Sequence, residues 1–151
     1  MGSSLVKYRD MGIWAHDSTI QVWLHMLLQE IDAELDQPEW TQYLRQNWFY
    51  QATGAGVGCV TVGLDQYATS ADRVSWLLHL SEKALIRLAS YGDVISKDVL
   101  NAFPHAEGDY WINDCKTDEF IQLGRKFIKL LRGELTVDPN DPRWIVHIKQ
   151  R

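Results

Sequence analysis

Ile20, Trp23, Leu24, Leu27, Leu28, Ile31 and Leu35 recur at three- and four-residue steps and predict an amphipathic helix. Asp17 or Ser18 is suited to cap its start, and the stripe carries it to Leu35. Pro38 fits the first turn of a second helix, whose pattern is Trp40, Tyr43, Leu44, Asn47 and Trp48, and Asp36 with Glu39 suits a capping-box-like pair. A third helix opens at Thr69 or Ser70, carries Val74, Leu77, Leu78, Leu85 and Leu88, and stops at Tyr91-Gly92. A short helix from Ser96 to Phe103 is ended by Pro104. Thr117 is placed to cap a last helix with the stripe Phe120, Leu123, Gly124, Phe127, Ile128 and Leu131, closed by Gly133. Residues 59–64 and 144–148 read as two short strands that pair with each other, while residues 5–15 carry no decisive period. The expected fold is mainly α: one globular domain over residues 1–151, with four to five helices and a minimal two-stranded β element.

The charge is unevenly placed. The chain holds 15 bases and 20 acids, and its net charge of −5 lies wholly in residues 1–75, where four bases face nine acids. An acidic surface repels phosphate backbones and anionic membranes, so neither nucleic acid nor membrane is an expected partner, and a basic protein is. Glu30, Asp32, Glu34, Asp36 and Glu39 form a run without a base, immediately before Trp40. The first three and Asp36 fall in the last turns of the first predicted helix, against the negative end of its dipole, at roughly 0.3–1 kcal/mol each when exposed. The last helix obeys the dipole, with Asp118 and Glu119 at its start and Arg125, Lys126, Lys129 and Arg132 toward its end. The misplaced acids read as a contact site for a basic partner or as a solvated acidic face. A second acidic and aromatic cluster lies in a loop, at Glu107, Asp109, Tyr110 and Trp111. There Trp111 is either a recognition residue or a side chain folded inward, whereas Trp23, on the apolar stripe, is core.

Catalytic motifs are incomplete. Gly54-x-Gly56 precedes a predicted strand instead of joining a strand to a helix, and Leu64-Asp65 stands where a phosphate loop needs Lys-Ser/Thr. His16-Asp17 resembles the HD dipeptide of metal-dependent phosphohydrolases, but the earlier histidine of that pattern is missing. Glu30 and Glu34 share a helix face without the Glu-x-x-His companions of di-iron bundles. No metal or cofactor is expected. Cys59, in a run of small and β-branched residues, reads as a buried thiol, and with Cys115 gives no disulfide framework. The first residues lack the basic-then-apolar order of a secretory signal, which gives a cytoplasmic expectation.

The Glu30–Glu39 run followed by Trp40, together with the Glu107–Trp111 loop, resembles the immunity proteins of bacterial polymorphic toxin systems. The resemblance implies a binding protein without catalysis of its own, whose carboxylates fill the positive cleft of a cognate toxin domain such as a nuclease. Two other classes stay open: a phage or host inhibitor or adaptor of another enzyme, and an enzyme that joins His16, His25 or His79 to distant carboxylates.

Overall fold

The computed structural model describes residues 2–54, 58–106 and 108–148. It opens with a hairpin in the region where the sequence pattern is indecisive. β1 (Ser3–Tyr8) pairs antiparallel with β2 (Met11–His16), and β2 pairs in turn with β5 (Ile145–His147), giving the order β1-β2-β5. On β1 the side chains of Ser4, Val6 and Tyr8 face inward, so the alternation was present but masked by a serine on the buried face. The tight turn puts Arg9 in the left-handed region, at φ 56°, and its N–H is held by the Asp65 carboxylate at 2.8 Å.

Six helices follow among the described residues: α1 (Asp17–Ala33), α2 (Thr41–Ala52), α3 (Leu64–Tyr67), α4 (Ala71–Ala89), α5 (Lys97–Ala102) and α6 (Thr117–Arg132). A small second sheet pairs β3 (Val94–Ile95) with β4 (Cys115–Lys116). Just over half of the chain is helical. α1 is the central element, packed by α2, α4 and α6 and buried on every side from Val22 to Leu28. The predicted stripe is thus only one face of a helix that Val22, His25 and Met26 fill on the others.

The strand expected at residues 59–64 does not form, and β5 pairs with β2 instead. The segment is nonetheless extended, with Val60 and Val62 turned into the core. Side chains take the place of a neighbouring strand: Val60 N–H donates to Ser4 Oγ (2.9 Å), Thr61 N–H to Gln51 Oε1 (2.9 Å), and Trp48 Nε1 to Val62 O (2.9 Å). Cys59, read as buried, falls on the outward side of this alternation and is exposed.

Helix ends follow the sequence where a cap is local. Ser70 and Ser96 accept from the N–H groups of Arg73 and Val99, and Gly133 ends α6 at φ 71°. Four expectations fail. Neither Asp17 nor Ser18 caps α1: both lie within the helix, which follows β2 directly with His16 at its cap position, no side chain caps its start, and the Asp17 carboxylate accepts from Ser4 Oγ instead. α1 stops at Ala33 because Gln37 Nε2 takes the Ile31 and Glu34 carbonyls, which leaves Leu35 wholly exposed. The Asp36–Glu39 capping pair is absent, since Pro38 to Trp40 form a turn before α2 and no side chain caps its start. Thr117 is the first residue of α6, not its cap, because β4 draws its N–H onto Asp93 O (3.0 Å). No described helix is long and apolar enough to cross a membrane.

Candidate functional site

Three of the five acids of the run are answered from within the molecule. Glu30 is buried and its Oε1 accepts from Arg87 Nε on α4 at 2.5 Å. Glu34 Oε1 receives Lys83 Nζ at 2.9 Å and lies 3.2 Å from His79 Nε2, so α4 supplies three partners from one face. The Lys83 hydrogen bond holds the Glu34 carboxyl below the usual range against the opposing effect of burial. Asp32 accepts both Nε and Nη2 of Arg45 on α2, at 2.6 and 3.1 Å, and this hydrogen-bonded pair raises the guanidinium pKa. Burial and the Arg87 pair leave Glu30 little surface to present outside the fold. Glu34 and Asp32 spend their charge on internal partners.

Asp36 and Glu39 are exposed and make no ion pair among the described residues. Trp40, beside them, is half-buried. It meets Trp76 edge-on (centroids 5.2 Å apart, planes at 71°) and carries the Arg73 guanidinium 4.8 Å over its ring. That sandwich ties α2 to α4.

The same corner presents a surface the apolar periodicity obscured. α2 buries Thr41, Leu44, Trp48 and Ala52. Its opposite side carries Tyr43, Gln46 and Tyr50 at three- and four-residue spacing, with Phe49 at the flank. Tyr43 is 71 %, Tyr50 52 % and Phe49 43 % exposed, and Leu35 projects fully from the preceding turn. The sequence pattern had grouped Tyr43 with Trp40, Leu44, Asn47 and Trp48, and Tyr50 lay outside it. The readable signal was the seven-residue separation of Tyr43 and Tyr50, out of phase with Leu44 and Trp48.

The second cluster borders a cavity of about 310 Å³ enclosed by α1, α5 and the loop that precedes β4. Asp109, Tyr110 and Trp111 line it, while Glu107 lies outside the described residues. Trp111 is turned partly inward, edge-on to Phe120 (6.3 Å, 80°), and Asn101 holds its backbone from both sides at 2.9 and 2.7 Å. Its loop covers the core as well as bordering the cavity. Tyr110 is 64 % exposed and packs edge-on against His105.

On the α1 wall, His25 is buried, stacks on Phe103 (5.0 Å, 7°) and places Nε2 3.1 Å from Ala52 O. Burial lowers its pKa from 6.5 to about 4, outweighing the carbonyls of Ala52 and Pro104, which favour the charged form. The imidazole is neutral at pH 7. Cys115 also lines the cavity, and its thiol is pushed up by burial and by Glu119 and Asp114, which disfavours the reactive thiolate.

The three candidate histidines do not converge. His16 ends β2 near Ser3 and Trp144, His79 faces Glu34, and only His25 of the three reaches the cavity, which His105 also lines. Among the described residues no group of three or more His, Cys, Asp or Glu is placed to hold a metal. No protein-family model matches the chain, nor does any curated protein or solved structure.

Proposed function

We propose that the protein is a small acidic binding module that docks onto a basic protein partner, in the manner of an immunity protein blocking a toxin domain such as a nuclease. The observation that supports this most is the outer side of α2, where Tyr43, Phe49, Tyr50 and the neighbouring Leu35 expose large side chains at one corner of the fold. Exposed tyrosines supply contact area at low entropy cost and are frequent anchors of interfaces. Asp36 and Glu39 sit in the chain between Leu35 and α2, and their carboxylates give that corner the sign that attracts lysine and arginine. The contact surface is thereby narrower than the original run: Asp36, Glu39 and the α2 aromatics carry it, while Glu30, Asp32 and Glu34 brace the helix behind.

The test starts with the partner recovered from the native cell, identified and made separately, so that affinity is measured by calorimetry on two pure proteins. Tyr43→Ala and Tyr50→Ala each weaken binding by about 2 kcal/mol with little change in melting temperature. Asp36→Lys with Glu39→Lys slows association and flattens its dependence on salt. A partner without a basic surface, or unchanged affinity in both sets of variants, overturns the reading.

A further inference from the structure

The cavity beside α1 has a composition that selects its ligand. Its size, about 310 Å³, lies at the lower end of the range for small-molecule sites. Aromatic rings reach it from several elements, with Phe103 following α5, Tyr110 and Trp111 on the loop, and His25 on α1. No lysine or arginine is among the residues that line it, and its only basic side chains are the imidazoles of His25 and His105. Negative charge is present: the Asp109 carboxylate stands at the exposed rim and receives no hydrogen bond from the described residues. The ring of His25 adds no positive charge at neutral pH.

We propose that this cavity binds a small organic cation, an ammonium or guanidinium group carried on an aromatic or branched apolar body. The apolar body fills the space between Val22, Leu100, Phe103 and Trp111, where it is removed from water. The charged head stays at the mouth, facing Asp109 and the π-faces of the rim, so it keeps part of its hydration while gaining Coulomb and cation–π attraction. The exposed α2 residues Tyr43, Phe49 and Tyr50 do not line the cavity, which α2 meets only at its end, through Ala52 and the following Thr53.

Phenethylamine, 3-phenylpropionate and phenethyl alcohol share one apolar body and differ in charge, so they separate the contributions. Titration followed by NMR at the Trp111 indole gives a saturable dissociation constant in the millimolar range for the amine, as a ligand of that size allows. The carboxylate binds about tenfold more weakly than the amine, with the alcohol between. Asp109→Asn removes most of the amine's advantage over the alcohol without altering the alcohol, a readout that a merely loosened loop does not give. A capped lysine–phenylalanine dipeptide distinguishes the source: tighter binding than the amine, with the same Asp109 dependence, assigns the cation to a polypeptide side chain, and weaker binding to a free amine. Equal affinity for amine and carboxylate, or no saturable shift with any probe, overturns the proposal.

Discussion

α1 and α6 pack against each other at the centre of the molecule, yet they carry their charges by opposite logic. α6 places Asp118 and Glu119 in its first turn and Lys129 and Arg132 in its last, each favourable within its own helix. α1 ends in Glu30 and Asp32 with no base in its last turn, and borrows Arg87, Lys83 and His79 from α4 and Arg45 from α2. The first arrangement is complete in the isolated segment. The second exists only once other helices have docked. A charge that offends its own helix is therefore evidence of a neighbour as much as of a ligand, and burial distinguishes the two.

The largest effect expected from this difference is at Glu30. Glu30→Lys places a cation beside Arg87 at a site that is only 5 % exposed, at a cost of about 4 kcal/mol. Denaturant unfolding checks it, and the exchange Glu30→Arg with Arg87→Glu recovers a substantial part. Stability reduced by less than 1 kcal/mol, within the ordinary surface range, would show that Arg87 does not hold the end of α1.

Acid gives the next effect, and again it acts on α1. His25 has a folded pKa of about 4 against 6.5 for the free side chain, so between these values the unfolded chain binds the extra proton. Stability is retained above pH 6.5, falls as pH drops toward 4, and levels off below it, by about 3 kcal/mol in all for this residue. His25→Asn flattens that part of a stability–pH curve, and an unaltered slope refutes the assignment.

Where the two helices touch, Gly124 of α6 lets the Trp23 ring approach. A Cβ there would lie 2.6 Å from Trp23 Cζ3 and 2.7 Å from Leu85 Cδ2. Gly124→Ala therefore loses about 2 kcal/mol through overpacking, despite alanine's higher helix propensity, and a thermal melt decides the sign. The smallest change belongs to α6 alone. Lys129→Glu, on an exposed position of the last turn, costs about 0.5 kcal/mol and less in high salt.

What was legible in the sequence was what is local. Ser70, Ser96 and Gly133 mark helix ends through bonds to atoms a few residues away, and the α6 stripe is buried at every predicted position. What was hidden depends on distant partners. Glu30 and Arg87 are 57 residues apart, and the hydrogen bonds that hold Val60 and Thr61 come from Ser4 and Gln51. The candidate surface shows the same division. The loop aromatics were visible as a cluster, but their cavity is closed by His25 and Leu100, which no local pattern connects to Trp111.

The borrowed bases also bear on the time course of folding. Before α4 arrives, the last turns of α1 carry unanswered acids at the wrong end of their dipole, so that segment frays while the rest of the helix is already buried. We expect ion pairs that span 49 and 57 residues of chain to close late, so that Glu34→Gln raises the unfolding rate and leaves the folding rate nearly unchanged in stopped-flow measurements. Interactions formed that late barely alter how fast a chain folds and chiefly slow its unfolding. The pairs that Glu30 and Glu34 make with α4 thus act as a latch on native-state lifetime.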